Sequence, residues 1–360
     1  MKWEIAKLGK IAIIRTGKLD SNAAVIGGRY PFFTCDPNTL SIDVWAYDTE
    51  AVLLAGNNAS GNYTAKYYKG KFNAYQRTYI IESANEEKLN IRYLCYALNQ
   101  QLRLLKAMSS GSTTKFLTVR MLDNLDIPLP SINIQTQIIS ILSAYDDLIE
   151  NNQKQIKLLE EAAQRLYKEW FVDLRFPGHE NTKIVDGVPE GWSKTNINEI
   201  LTFHRGYDLT KNEMKIGRYP VVGSTTVIGY HNEFKIKGPG IVTGRSGSLG
   251  KYQFIWDNFW PHNTSLYISD YKDHNIFFVY SLLQTVDFAS LNNGGAIPTL
   301  NRNVLSNIEV IEPEKKLQDI FATITEAQYR KIRNLEKQNN QLKITRDLLL
   351  LKLMNKEVEV

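Results

Sequence analysis

The sequence predicts two α+β domains of similar construction, each followed by one long helix. Three observations predict this fold class: residues that recur at a nearly constant offset, short β-like runs separated by Gly, Asn and Ser turns, and two long stretches with an apolar seam. The chain has 360 residues, 43% of them hydrophobic, so each domain has enough apolar material for a core.

The recurrence begins at an offset of 189 residues and drifts to 183, as a few loop deletions would produce. At 189, the residues Trp3, Leu8, Ile11 and Gly17 recur as Trp192, Ile197, Ile200 and Gly206, and Arg29-Tyr30-Pro31 recurs as Arg218-Tyr219-Pro220. At 183, the residues Gly111, Leu117, Leu122, Asn124 and Pro130 recur as Gly294, Leu300, Leu305, Asn307 and Pro313. The period is too long for a solenoid, so each copy is a domain together with the segment that follows it.

Each copy ends in a helical segment whose apolar seam alternates spacings of three and four residues. The first seam comprises Ile149, Asn152, Ile156, Leu159, Ala163, Leu166 and Trp170, and the second comprises Ile332, Leu335, Asn339, Leu342, Arg346, Leu349 and Leu353. One helix of this kind could simply pack against its own domain. Two seams of equal length favour pairing with each other, although each carries polar residues.

These signals divide the chain into four segments. Residues 1–130 form the first domain, 131–176 the first helix, 177–313 the second domain and 314–360 the second helix. Between the first helix and the second domain lies FPGHENTKIVDGVPEGW, whose Pro and Gly residues break the helix. Inside the domains, runs such as Ala51–Leu54 and Gly240–Thr243 predict buried strands, but the strand order cannot be predicted.

Composition narrows the functional classes. A net charge of +5 suits a polyanionic partner without requiring one. The two cysteines, Cys35 and Cys95, lack CxxC spacing, and the five histidines lack an i,i+4 pair, so no metal site is expected. Neither a signal-peptide core nor a membrane-length apolar stretch is expected, which predicts a cytoplasmic protein without membrane contact.

No catalytic motif is evident. The stretch TGRSGSLGKY resembles a phosphate-binding loop, but Gly244 and Gly250 have five residues between them, where the P-loop pattern has four, and Tyr252 replaces the hydroxyl residue that would hold magnesium. Asn73-Ala74-Tyr75-Gln76 lacks the prolines of an adenine-methyltransferase loop. Neither Glu86-Glu87-Lys88 nor Glu312-Pro313-Glu314-Lys315 has the upstream partner of a nuclease site, so both are expected to be solvated surface.

Polar, glycine-rich loops in equivalent places of the two copies are the remaining candidates for function. Their side chains are of the types that contact sugar-phosphate backbones, although the glycines themselves also suit tight hairpin turns. The candidate nucleic-acid-binding residues are Asn57, Asn58, Ser60, Asn62, Lys66, Arg77, Ser112, Thr113, Thr114, Lys115, Arg245, Ser246, Ser248, Lys251, Asn263, Thr264, Asn292, Asn293 and Arg302.

Over nearly its whole length, the sequence resembles the specificity (S) subunits of type I restriction-modification enzymes, the HsdS family. The resemblance rests on Trp3 with Leu8-Gly9-Lys10-Ile11, on VPEGW before the second domain, and on IPLPSINIQTQIISILSAYDDLIENNQKQIKLLEEAAQRLYKEWFVDLRFPGHE. Within that last stretch, the residues Asp146 to Asn151 and Phe171-Val172-Asp173 are the most specific. The ending RDLLLLKLMNKEVEV is also similar.

The resemblance implies a non-catalytic subunit with two target-recognition domains, each recognising one half of a split sequence in double-stranded DNA. It implies that the two helices form an antiparallel coiled coil, which serves as a spacer and as the docking site for two methyltransferase (M) subunits. Restriction (R) subunits would join the same complex. S-adenosylmethionine, ATP and Mg²⁺ would be bound by those partners and no cofactor by this chain. The alternatives are a coiled-coil scaffold that does not bind DNA and the recognition part of a split adenine methyltransferase.

The seam length leads to a further expectation. From Ile149 to Trp170 the helix rises about 32 Å, close to the ~34 Å of one turn of B-DNA. The half-sites are therefore expected to be centred about one turn apart. Antiparallel pairing is expected to bring Asn339 near Ala163 and Asn152 near Leu349, which would cost stability but fix the register.

Overall fold

A computed structural model of the chain describes residues 3–58, 63–108, 115–245, 250–286, 308–354 and 357–358. Its contacts divide the chain into two compact units. Unit 1 comprises Met1–Asn151 and Gln338–Val360, and unit 2 comprises Asn152–Lys337. Unit 1 is therefore assembled from two segments that lie far apart in the sequence.

The first segment of unit 1 is rich in strands, with helices packed around them. Its strands are β1 (Glu4–Lys7), β2 (Ala12–Thr16), β3 (Tyr30–Phe33), β4 (Leu40–Ile42), β5 (Tyr47–Ala55), β6 (Asn57–Asn58), β7 (Ala65–Ala74), β8 (Thr78–Ser83), β9 (Lys115–Phe116) and β10 (Asp126–Leu129). Its helices are α1 (Leu8–Ile11), α2 (Ile91–Gln100), α3 (Leu102–Met108), α4 (Val119–Asp123) and the start of α5 (Ile132–Tyr167), and a 3-10 turn spans Ser21–Ala23.

A six-stranded sheet in the order β2-β8-β5-β7-β3-β4 forms the centre of unit 1. Strand β5 reads as a continuous apolar run because both of its faces are covered. Val52 and Leu54 belong to the core that includes helix α2, whereas Ala51 and Leu53 face the aromatic cluster around Phe72. This alternation follows the two-residue period of a strand. Strands β1 and β10 form a separate, two-stranded antiparallel ribbon.

Unit 2 has a corresponding set of elements. Its strands are β11 (Ile184–Val185), β12 (Val188–Pro189), β13 (Ser193–Asn196), β14 (Thr202–Arg205), β15 (Tyr219–Val222), β16 (Val227–His231), β17 (Gly240–Gly244), β18 (Tyr252–Ile255), β19 (Trp260–Pro261), β20 (Ser265–Asp270) and β21 (Glu309–Glu312). Its helices are α6 (Ile197–Ile200), α7 (Ile276–Thr285) and the start of α8 (Lys315–Met354), with a π-helical turn at Lys168–Val172 after α5 and a 3-10 turn at His179–Asn181.

The two units repeat one topology, which confirms the duplication predicted from the sequence. The order β14-β20-β17-β18 in unit 2 corresponds to β2-β8-β5-β7 in unit 1, and the pair β15–β16 corresponds to β3–β4. In both copies one pairing is parallel, β3 with β7 and β15 with β19. The ribbons β1–β10 and β13–β21 also correspond, and both are antiparallel.

Equivalent polar residues begin the equivalent helices. The side chain of Asn90 accepts hydrogen bonds from the first turn of α2, and Asn275 does the same for α7. Such caps satisfy backbone N–H groups that have no partner inside the helix. At the start of the long helices, the buried amides of Gln135 and Gln318 donate to the carbonyl oxygens of Pro130 and Pro313, at 2.9 and 2.7 Å.

The helices α5 and α8 pack antiparallel within each unit. In unit 1, Asp146 of α5 contacts Arg346 of α8, while the earlier residue Leu142 shares a core with the later residue Leu353. In unit 2, the ring centroids of Trp170 and Phe321 lie 6.1 Å apart. The earlier residue Ala163 packs with the later residue Ile332. In both units, residues later in α5 contact residues earlier in α8. This is the arrangement of the expected antiparallel coiled coil.

Every predicted seam position is buried or half-buried, including the polar residues Asn152, Asn339 and Arg346. The predicted register, however, is wrong. Ala163 packs with Tyr329 and Ile332 rather than near Asn339, and Leu349 belongs to the core of Leu142 rather than lying near Asn152. The helices are offset by about ten residues, nearly three turns, from the expected pairing. A shift of one heptad plus three residues brings apolar positions together as well as the expected register does.

Candidate nucleic-acid interface

A tight turn between two sheet strands organises the candidate interface of each unit. In unit 1, the turn between β7 and β8 is held by hydrogen bonds from Gly17 N to Thr78 O (3.1 Å) and from Gly56 N to Arg77 O (2.8 Å). A Cβ on Gly17 would lie 2.1 Å from the carbonyl oxygen of Ala74, so only glycine allows this approach. The turn presents Arg77 to solvent.

The same framework recurs in unit 2 between β19 and β20. Gly206 N donates to Ser265 O (3.0 Å), and Arg245 N donates to Thr264 O (3.1 Å). A Cβ on Gly206 would lie 2.1 Å from the carbonyl oxygen of His262. The predicted contacts Arg77 and Thr264 therefore occupy equivalent turns in the two units.

In unit 1, the structure groups Asn57, Arg77 and Lys115 around this turn. Strand β6, which contains Asn57, pairs antiparallel with β9, which contains Lys115. Gly56, which precedes Asn57, connects these segments. Its N–H donates to the carbonyl oxygen of Arg77, and its own carbonyl oxygen accepts from Leu117 N at 2.8 Å, just after β9. No other described residue forms a hydrogen bond with the buried Oδ1 atom of Asn57. A buried polar atom of this kind is costly, which makes Asn57 a candidate for contact with an external donor.

Lys66 is less available than the sequence suggests. Its Nζ atom donates to Asp36 O (3.3 Å) and to Thr39 Oγ1 (3.2 Å) in the loop after β3. Burial lowers the pKa of the Lys66 ammonium, while the nearby Asp36 carboxylate acts in the opposite direction. The side chain is thus already engaged within its own domain.

In unit 2, the structure brings Arg245, Asn263 and Thr264 together. The Thr264 hydroxyl lies 3.0 Å from His262 Nδ1, and Asn263 donates through Nδ2 to Asp208 Oδ1. Lys251 is exposed at the start of the neighbouring strand β18. Its carbonyl oxygen accepts from Thr243 Oγ1 at 3.1 Å, which ties this end of the hairpin to β17.

The stretch TGRSGSLGKY connects two antiparallel strands. Strand β17 ends at Gly244, and Thr243 pairs with Tyr252 of β18. A nucleotide-binding P-loop instead joins a strand to a helix, whose N-terminus receives the phosphates. The hairpin geometry therefore excludes the nucleotide-binding alternative and agrees with a turn that uses glycine for its backbone conformation.

Several predicted contacts cannot be placed. Ser60, Asn62, Ser112, Thr113, Thr114, Ser246, Ser248, Asn292, Asn293 and Arg302 lie outside the described residues. The backbone of Asn58 is described in β6, but its side chain is not. Of the predicted DNA contacts that are described, each unit thus groups at least three at its turn.

Sequence reasoning missed an acidic partner at each turn. In unit 1, Gln76 Nε2 donates to Asp20 Oδ1 at 3.1 Å, and in unit 2 Asn263 Nδ2 donates to Asp208 Oδ1. The recurrence of this aspartate is hard to detect in the sequence, because Asp20 is three residues beyond Gly17 whereas Asp208 is only two beyond Gly206. A search at one fixed offset does not align the two aspartates.

Among the described residues, no group of three or more His, Cys, Asp or Glu side chains is arranged to hold a metal ion. None of the described helices combines the length and the apolar character that crossing a membrane requires.

Two copies of one fold, each with cationic and carboxamide side chains on equivalent turns, define a duplicated recognition protein. Comparison with known proteins identifies the family. The family model for the type I restriction modification DNA specificity domain matches residues 1–161 and again residues 189–344. The chain belongs to this family, whose members are non-catalytic DNA-recognition components, and the expectation that it is not itself an enzyme follows from this membership.

The curated relatives are specificity subunits. The type I restriction enzyme EcoDI specificity subunit of Escherichia coli is 32% identical over 221 residues, which cover 55% of this chain and 48% of that protein. The MjaIX specificity subunit of Methanocaldococcus jannaschii is 27% identical over 298 residues, covering 74% of this chain and 68% of that protein. The match thus spans about half the length of the EcoDI subunit.

A solved structure supports the fold. The S subunit of a type I restriction-modification system from M. genitalium has a TM-score of 0.61 and 20% sequence identity. The alignment covers 98% of this chain and 96% of that chain.

Proposed function

We propose that this chain recognises a two-part sequence in double-stranded DNA, with one globular domain contacting each half. The observation that carries the proposal is the recurrence of one turn framework, Gly17–Thr78 and Gly206–Ser265, with predicted DNA contacts beside it in both copies. A duplicated recognition surface suits a target made of two half-sites. In this proposal, residues 1–130 and 177–313 are the recognition domains, and residues 131–176 and 314–360 are the spacer helices.

The cationic side chains in this proposal contact phosphates. Arg77 and Lys251 are exposed, while Arg245 and Lys115 are half-buried beside the same turns. Phosphate contacts position a protein on DNA without selecting a sequence, and they make affinity depend on salt. Sequence selection then falls to side chains that reach base edges.

The proposed partners are two M subunits and the R subunits, which would bind S-adenosylmethionine, ATP and Mg²⁺. A row of exposed apolar residues on α8 supports docking of another protein. Ile344, Leu348 and Leu351 are 55%, 56% and 50% exposed and follow helical spacing on one face. An exposed apolar stripe of this kind is a common mark of a protein–protein interface. The cytoplasm, where such a complex would meet DNA, also suits the two free cysteines.

The test is filter binding of the chain assembled with M subunits to randomised duplex DNA at several salt concentrations. The proposal expects an affinity that falls steeply with salt and favours a subset of sequences. A coiled-coil scaffold would show no salt-dependent affinity for DNA. Methyl transfer by the isolated chain, without partners, would instead support the split-methyltransferase alternative.

The spacer part of the proposal has its own test. Helix α5 runs without interruption from Ile132 to Tyr167. Inserting one heptad into both long helices should lengthen the unspecified gap between the methylated half-sites, since each added residue extends a helix by about 1.5 Å. An unchanged gap would contradict the idea that the helices measure this distance.

A further inference from the structure

Each unit holds one carboxamide against one carboxylate at the same place in its fold. In unit 1, a parallel bridge between Leu19 and Tyr75 sets Asp20 beside Gln76, and Gln76 Nε2 donates to Asp20 Oδ1 at 3.1 Å. In unit 2, the corresponding bridge joins Tyr207 and His262, the residues that precede Asp208 and Asn263. Both units therefore have the same amide–carboxylate pair, although the amide is Gln in one unit and Asn in the other and the two aspartates do not align at one sequence offset.

We propose that Gln76 and Asn263 are the base-contacting residues of their units, each preferring adenine, and that Asp20 and Asp208 are positioning residues that orient them. The inference rests on the proposed function, because it assigns sequence selection within the same interface. The neighbouring Arg and Lys side chains contact phosphates, as in the proposed function.

The chemistry of the amide supports this assignment. The aspartate occupies one N–H of each carboxamide, and within the described parts of the chain no hydrogen bond occupies the second N–H or the carbonyl oxygen. These two groups can act together as a donor–acceptor pair. That pair matches the N7 acceptor and N6 donor of adenine in the major groove, the most frequent specific contact of Asn and Gln. A fixed amide also loses less side-chain entropy on binding than a free one.

The aspartates argue against a phosphate role for the amides. A carboxylate beside a DNA phosphate is repelled by it, whereas a base edge offers amino groups that a carboxylate can accept from. Asp208 has 80% of its side chain exposed and is 3.9 Å from Arg205, so it remains at the surface rather than buried in an ion pair. A retained surface carboxylate at the same place in both units fits base contact better than backbone contact.

In unit 2, apolar side chains lie next to the Asp208–Asn263 pair. Asp208 and Asn263 line a cleft of 640 Å³ together with Ile216, Ile228 and Tyr230. Ile216 is fully exposed, which is unusual for so large an apolar side chain. The methyl group of the thymine paired with adenine is the apolar feature of the major groove. The cleft thus offers both chemical features of one adenine–thymine pair.

The experiment is selection of bound duplexes from a randomised pool by the chain assembled with M subunits. Gln76→Ala and Asn263→Ala should each relax selection at one base pair, in different half-sites, by about 5- to 150-fold in discrimination. All other positions should be unchanged. Asp208→Asn keeps an acceptor for Asn263 Nδ2 and should retain the selected sequence, whereas Asp208→Ala should weaken it.

Asn181→Ala is the matched control, because Asn181 is an exposed carboxamide in the 3-10 turn His179–Asn181, which belongs to neither an interface turn nor a long helix, and it should select the same sequence as the wild type. Thermal unfolding checks that each variant is folded. Selection of the wild-type sequence with equal stringency by both amide variants would overturn the inference, as would an equal loss of affinity for all sequences. A wild-type complex that binds every duplex equally would instead overturn the proposed function, and the inference with it.

Discussion

Replacing Arg346 by Ala tests whether one ion pair holds the two long helices together in unit 1. Arg346 Nη1 lies 2.6 Å from Asp146 Oδ1, and Asp146 also accepts a hydrogen bond from the hydroxyl of Tyr96. Arg346 further donates to Asp347 at 2.7 Å. Burial alone would lower the pKa of Arg346, but the hydrogen bonds to both aspartates raise it. The guanidinium therefore stays charged, and its removal takes away the cation that lies 2.6 Å from Asp146.

The magnitude follows from partial burial. The side chains of Arg346 and Asp146 are only 26% and 29% exposed. This places the pair between an exposed ion pair, worth about 0.2 to 1 kcal/mol, and a buried one, whose disruption costs about 3 to 5 kcal/mol. We expect Arg346→Ala to lower the free energy of unfolding by about 1.5 to 3 kcal/mol, the range of hydrogen bonds to charged groups.

The assay is thermal unfolding of the full chain, followed through the transition of unit 1. A loss of that size should lower its Tm by about 3 to 12 °C for a unit of this length. Lys69→Ala is the control, since its ion pair with Glu50 lies in the same unit but has 71% of the lysine side chain exposed. Replacing the pair together, as Asp146→Leu with Arg346→Met, should recover most of the loss. If Arg346→Ala lowers Tm no more than the control, the pair does not hold the helices.

Three further predictions follow from the proposed interface and the helices. Lys251→Ala should weaken binding to all DNA sequences alike and reduce the slope of log affinity against log salt by about one unit; a loss confined to some sequences would instead make Lys251 a base contact. Substituting Ser at Ile344, Leu348 and Leu351 should abolish co-purification with M subunits while the circular dichroism spectrum stays unchanged; retained binding would place the docking surface elsewhere. Burial raises the pKa of Glu336, which faces a second carboxylate on α5, so folding favours the protonated acid. The stabilisation of the fold by protonated Glu336 is complete below the pKa of an unfolded glutamate, about 4.3. It is lost as the pH rises through the raised pKa of Glu336 in the folded protein. Glu336→Gln should therefore stabilise the fold at pH 7 by about 0.2 to 1 kcal/mol and flatten the pH dependence of Tm, and an unchanged profile would contradict this.

The duplication and the long helices could be predicted because both are written in local patterns. Gly17 and Gly206 recur since each allows a backbone approach that no other residue tolerates. The seams recur because apolar residues at spacings of three and four must share one face of a helix. Steric and periodic requirements of this kind leave a direct record in the sequence.

The register of the helices could not be predicted in the same way. An apolar seam specifies a face but not the height at which its partner lies, since shifts of a few residues superpose other apolar positions. The information that selects one register includes the pair Asp146–Arg346, whose members are 200 residues apart. Arg346 interrupts the apolar seam, and its pairing with Asp146 accounts for a polar residue at that position.

The candidate site was predictable in part for a related reason. Exposed cations and amides in polar loops stand out by residue type, but the sequence did not predict that Arg245, Asn263 and Thr264 would meet at one turn. The aspartates that orient the amides do not stand out, because their partners lie in turns more than 50 residues away in the sequence. Lys66 shows the opposite error, since its loop partners could not be foreseen.

The division of unit 1 into two chain segments has a consequence for biosynthesis. Leu350, Leu353 and Met354 belong to the same core as Tyr93 and Leu98, yet they are translated only after the whole of unit 2. At typical elongation rates, roughly 10 to 40 s separate the synthesis of the two segments. During that interval the nascent first segment of unit 1 exposes the apolar surface that α8 will cover. The domain translated first is therefore completed last, and it is the one for which protection by a chaperone during translation would matter most.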